Sequence, residues 1–92
     1  MKDYELIHNE EKSRYEFHID GLMADADYKR INDVLVITHV GVPYPLEGKG
    51  IASQLVQKVL EDIKKQGLRV RPVCPFAAAY IHRHPEWKEI VA

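Results

Sequence analysis

Residues 34–65 read VLVITHVGVPYPLEGKGIASQLVQKVLEDIKK: an apolar β-branched run, a proline-broken loop, a Gly-Lys-Gly turn and an amphipathic stretch, in direct succession. Val34 to Val40 is nearly continuous in apolar residues, the composition of a central strand covered on both faces. After Gly50, the residues Ile51, Leu55, Val56, Val59, Leu60 and Ile63 recur at helical spacing and draw one apolar stripe. Gln54, Gln57, Lys58, Glu61, Lys64 and Lys65 take the opposite side. Lys64 and Lys65 complement the dipole in the last turn, and Gly67 is placed to end the helix. A strand that passes through a glycine turn straight into a helix gathers free backbone N–H groups at the positive end of a dipole. His39 to Ala52 is therefore suited to an anion, most often a phosphate.

Working outward, residues 68–73 (LRVRPV) read as a further strand, with Val70 and Pro72 on one face and Arg69, Arg71 and Val73 on the other. Pro72 removes a donor, so this strand should lie at an edge or stop pairing there. Strand, helix and strand make a β-α-β unit, which crosses over right-handed to a parallel neighbour. Pro75 suits the first position of a short helix from Phe76 to His84, which Pro85 limits. The tail EWKEIVA is expected to be irregular, with Trp87 packed. Upstream, residues 2–8 alternate weakly and residues 14–19 cleanly, with Tyr15, Phe17 and Ile19 opposed to Arg14, Glu16 and His18. Asp20-Gly21 signals a tight turn. Residues 22–31 alternate with Ala24, Ala26 and Tyr28 on one face; Ala and Met make helix a rival, but the flanking Asp20-Gly21 and Asn32-Asp33 turns favour a strand. The order is ββββ-α-β-α, an α+β fold with a mixed, mostly antiparallel sheet in one domain over residues 1–92.

The chain of 92 residues carries a net charge of −1, with 46% hydrophobic and 29% charged residues. That is ordinary for one small globular domain. No basic block is present, so nucleic-acid binding is disfavoured. No run approaches the ~20 apolar residues of a membrane span, and the charged N-terminus lacks a secretory h-region. A single cysteine excludes an intrachain disulfide, and a cytoplasmic setting is expected. Repeats and low-complexity segments are absent.

Gly48-Lys49-Gly50 alone reads as well for a plain turn as for an anion cradle; the buried strand before it and the helix directly after it raise the second reading. A Rossmann fingerprint would need a third glycine, and a Walker A motif a Gly-Lys-Ser/Thr. Cys74 has two readings. A lone cysteine in a small protein is commonly a buried small hydrophobe, yet this one ends a strand and caps a helix, where a thiolate is stabilised. His39, near the end of the preceding strand, is either its base or a core histidine bonded to backbone. Tyr80 is either a proton donor or a packing partner of Phe76. No metal is expected: His82 and His84, two apart on a helix, would not face one ion together with Cys74.

THVGVPYPLEGKGIASQLVQKVL, followed by GLRVRPVCPFAAAYIHRHPEW, resembles a small, minimal branch of the GNAT N-acetyltransferase superfamily, that of the short N-acetyltransferase domain-containing proteins. The resemblance spans roughly residues 14–87. It implies acetyl-CoA as donor, with the pyrophosphate on the backbone of Leu46, Glu47, Gly48, Lys49, Gly50, Ile51 and Ala52, and the pantetheine beside Val40, Gly41 and Val42. It also implies Tyr80 as general acid and, in this branch, an acetyl-Cys74 intermediate activated by His39. Pro45 and Glu47 depart from the wider Gln/Arg-x-x-Gly-x-Gly/Ala pattern. The N-terminal helices that help relatives bind an acceptor are not expected in this chain, so the acceptor, an amine or a protein, is left open. The expected state is a monomer or weak homodimer. The chain thus reads as an N-acetyltransferase, with a CoA-binding or acyl-CoA-binding module as the alternative and a purely structural interaction domain as a third reading.

Overall fold

A computed structural model describes residues 2–92. Five strands form one sheet in the order β1-β2-β3-β4-β5: β1 (Ile7–Asn9), β2 (Arg14–Ile19), β3 (Leu22–Ile31), β4 (Val34–Gly41) and β5 (Arg69–Pro72). The first four are antiparallel neighbours, and β5 joins β4 in parallel. Between β4 and β5 runs α1 (Ile51–Lys65), and after β5 comes α2 (Pro75–Arg83). The expected ββββ-α-β-α order holds.

The strands turn where the sequence permits positive φ. Asp20 (φ 51°) and Gly21 (φ 77°) form the two-residue link between Ile19 and Leu22. α1 ends in a Schellman arrangement: Gly67 (φ 72°) donates its N–H to Lys64, and Leu68 donates to Ile63 at 3.0 Å. All six apolar stripe residues of α1 are buried. They join one core with Tyr15, Phe17 and Ile19 of β2, Ala24, Ala26 and Tyr28 of β3, Leu35 and Ile37 of β4, and Val70 of β5. Ala77, Tyr80 and Ile81 of α2 enter the same core. Beyond α2, a 3-10 helix (Pro85–Ile90) seats Ile90 and brings Val91 alongside Val70. The tail expected to be irregular is therefore ordered, and Trp87 packs against the core.

Two further expectations are corrected. Residues 2–6 are not part of a strand; β1 is only Ile7–Asn9. The backbone of the earlier segment is held by helix side chains instead: Gln54 accepts from the Tyr4 N–H and donates to the Lys2 carbonyl, and Lys58 donates to the Tyr4 carbonyl. The second correction concerns β4. Its apolar run is not covered on both faces, because both helices contribute to the core on one side of the sheet. Val36 faces the other side, outside the core cluster, and Thr38 and His39 are exposed. The uncovered face is charged, carrying Arg14, Glu16 and His18 of β2 with Asp25 and Asp27 of β3.

Candidate active site

β5 ends its pairing at Pro72, opposite Ile37, while β4 continues to Gly41. The Ile37 carbonyl accepts the N–H groups of Val73 and Cys74 as the chain turns into α2. From Thr38 to Gly41, β4 thus has β3 on one side and no strand on the other, and a gap opens in the sheet.

At the helix end of this gap lies a hollow of about 220 Å³, lined by Val42, Leu46, Glu47, Gly48, Gly50, Ile51 and Ala52, with Ser53 and Phe76. Most residues of the expected pyrophosphate cradle are therefore brought together; Lys49 is exposed beside it. A 3-10 turn (Tyr44–Leu46) precedes the glycines and consumes two donors: the Leu46 N–H bonds to Pro43 and the Glu47 N–H to Tyr44. Leu46 instead buries its side chain as the floor. Gly48 (φ 79°) and Gly50 (φ 74°) bend the chain through the left-handed region, and Gly50 serves as N-cap of α1 with no side-chain cap. The first-turn N–H groups of α1 have no intrahelical partner and face the glycine turn.

His39 and Cys74 are separated. Regular alternation from Leu35 and Ile37 would carry position 39 into the core. A bulge intervenes: Tyr28 pairs with Ile37 but Asp27 pairs with His39, which leaves Thr38 unopposed. Val40, across from Ala26, thereby turns toward the core, and His39, across from Asp27, turns to the uncovered face. Cys74, 6% exposed, packs in the core on the helix side. Among the described residues no hydrogen bond joins the two side chains. Cys74 is the N-cap of α2, and its side chain makes no capping bond.

Tyr80 is 5% exposed, and its ring lies tilted against that of His84 with centroids 4.2 Å apart. The pair borders a second hollow with Gly50, Ser53, Gln54 and Gln57, adjoining the first. Burial raises the Tyr80 pKa, and Glu86 and Glu61 push it further up, so the phenol stays protonated at neutral pH. Among the described residues no group of three or more His, Cys, Asp or Glu side chains is arranged to hold a metal ion.

Asp25 and Asp27 escaped the sequence reading as site candidates. The available signal was their alternation with Ala24 and Ala26, which aims both at the face opposite the core. Glu16 was also missed. It is 4% exposed although it lies on the uncovered face, because Arg14, His18 and Asn9 surround its carboxylate.

The family model described as GCN5-related N-acetyl-transferase matches residues 14–90. The fold is similar to the NMR solution structure of a GCN5-like candidate N-acetyltransferase from Staphylococcus aureus, with a TM-score of 0.74 and 21% sequence identity over 100% of this chain and 91% of that one. At that identity the likeness speaks for the fold. No curated protein matches the chain.

Proposed function

The chain belongs to the GCN5-related N-acetyltransferase family, and from that premise we propose that it transfers the acetyl group of acetyl-CoA to an amine acceptor. The observation that carries this reading is the gap beside Thr38–Gly41, which opens beside the uncapped first turn of α1. Main-chain N–H groups around Gly48, Gly50, Ile51 and Ala52 hold the pyrophosphate, Lys49 adds charge, and the pantetheine lies along Val40, Gly41 and Val42 in place of a strand partner. A β4 N–H near Gly41 or Val42 polarises the thioester carbonyl.

The acceptor approaches from the uncovered face, since the helices occupy the other. Its nitrogen attacks the carbonyl carbon, the N–C bond forms and the C–S bond breaks. His39 takes the surplus proton from the amine, directly or through one water, and Tyr80 donates to the departing thiolate. The opposed positions of His39 and Cys74 favour this direct route over an acetyl-Cys74 intermediate activated by His39. Among the described residues both helices lie on the core side of the sheet, and the acceptor face they leave open favours a second reading, a CoA-binding or acyl-CoA-binding module with little catalysis.

Calorimetry with CoA and mass spectrometry after incubation with acetyl-CoA and n-propylamine test the proposal. CoA binding with acetylpropylamine formed supports transfer. Binding without product favours the module, and no binding at millimolar CoA overturns both. An adduct of about 42 Da on Cys74 would restore the covalent route.

A further inference from the structure

The uncovered face holds a group of ionisable residues at the edge of the gap. Register places Asp25 across from Gly41, and Asp27 across from His39. From β2, Glu16 lies across from Asp25 and Arg14 across from Asp27. Arg14 is committed to Glu16, its Nε 2.6 Å from the carboxylate, and His18 is likewise bonded to Glu16 at 2.8 Å. Arg14 therefore makes its ion pair with Glu16, and its charge reaches Asp25 and Asp27 only through space.

Gly41 has no side chain to keep its neighbours apart. A Cβ there would stand 2.9 Å from His39 Nε2 and 3.1 Å from Asp25 Oδ1. Both polar atoms thus flank the same point with no direct bond between them among the described residues, at a spacing that one water or one amine nitrogen can bridge. Asp25 also interacts with the Asp27 carboxyl; burial and that neighbour raise its pKa, while the charges of His39 and Arg14 oppose the rise. The bulge that turns His39 away from Cys74 turns it toward these carboxylates.

We propose that Asp25 is the positioning residue of His39, facing the imidazole across the space over Gly41 and balancing the proton that His39 takes from the acceptor amine. The inference rests on the reading of His39 as the base for acetyl transfer. As the N–C bond forms, the surplus proton of the amine passes to His39 Nε2 and is later released to solvent, and Asp25 is not the proton's acceptor. The positive charge that appears on the imidazole meets two carboxylates, and their mutual repulsion falls as it arrives. The same pair favours an acceptor that approaches as an alkylammonium ion over a neutral or anionic one; that ion gives one proton to solvent before its nitrogen attacks, and His39 takes the second as the N–C bond forms.

The pairing is tested without any turnover, by following the Asp25 carboxyl carbon by NMR through a pH titration. His39→Gln should move the Asp25 midpoint to higher pH, because the opposing charge is gone, whereas His82→Gln on α2 should leave it in place. An Asp25 midpoint unmoved by His39→Gln overturns the proposal. In the transfer assay with n-propylamine, Asp25→Asn should lower kcat about tenfold at an unchanged KM for acetyl-CoA, with Asp25→Glu recovering part of the loss. Full kcat in Asp25→Asn also overturns it. A wild-type protein inactive toward n-propylamine counts against the transfer reading, and the titration still decides whether Asp25 and His39 act as a pair.

Discussion

Gly41 lies beneath His39: a Cβ at position 41 would come 2.9 Å from the imidazole Nε2. Contact at that distance forces the ring to move, and the ring is the mobile member because His39 is exposed. Gly41→Ala is therefore expected to fold with a stability loss under about 1 kcal/mol. Its rate of acetyl transfer should fall roughly tenfold through misplacement of the base. Urea unfolding and a transfer assay check the two halves. Unchanged transfer by this variant would mean that the seat of His39 over Gly41 has no bearing on the reaction.

Glu16 gives the chain an acid-sensitive element. Hydrogen bonds from His18, then Arg14, and also Asn9 hold its pKa down to about 2, against 4.5 for an unperturbed carboxyl. Because the folded value is the lower one, this contribution is complete above about pH 4.5 and is lost as the pH falls from there through about 2. The open face beside it screens the charges, which keeps the contribution to roughly 1–2 kcal/mol. Urea unfolding of wild type and Glu16→Gln should differ by that amount at pH 6, and the difference should shrink toward zero near pH 2.

Much of this architecture is readable from periodicity. The α1 stripe and the inward faces of β2 and β3 appear where the pattern puts them, and β5 lies at the edge, one of the two outcomes that Pro72 allowed. The turns at Asp20-Gly21 and Asn32-Asp33 decide β3 as a strand against its helix-favouring Ala and Met residues. What periodicity cannot show is the bulge at Thr38, since one unopposed residue changes no spacing in the sequence yet exchanges the faces of His39 and Val40. A Cys74–His39 pair is a natural expectation from strand adjacency alone, and the bulge is the physical reason that it does not form. The attachment of residues 2–6 is hidden for a similar reason, because its donors and acceptors, Gln54 and Lys58, lie some fifty positions away. Val34–Val40 is apolar enough for a strand buried twice, but composition does not reveal that both helices choose one face.

The Tyr15 hydroxyl donates to Asp62 Oδ2 at 2.7 Å, fastening β2 to the polar edge of α1. The ring is fully buried and stacks on His8 with centroids 4.1 Å apart. Tyr15→Phe keeps the ring and removes only the bond. Asp62 is partly exposed and also accepts from Gln66, so its charge is not stranded. A loss of about 1–2 kcal/mol is expected, with an unchanged denaturant m-value. A much larger loss would show that the hydroxyl also orders the His8–Tyr28 contact, where the two side chains bond at 2.6 Å.

Gly48 and Gly67 form a matched pair for the anion cradle. Both have positive φ, 79° and 72°, and at neither would a Cβ meet another atom within 4 Å. Alanine at either position therefore introduces the same backbone strain, about 1–2 kcal/mol, with no steric clash. Only Gly48 lies in the hollow at the start of α1; Gly67 closes the far end of the helix. Gly48→Ala and Gly67→Ala should thus lose similar stability in urea, while Gly48→Ala alone loses affinity for CoA. The loss should be about tenfold by calorimetry, equivalent to about 1.4 kcal/mol, because relaxation of the strained turn misaligns the N–H groups that hold the pyrophosphate. If the two variants weaken CoA binding equally, the effect comes from general destabilisation, and the glycine turn is not the cradle.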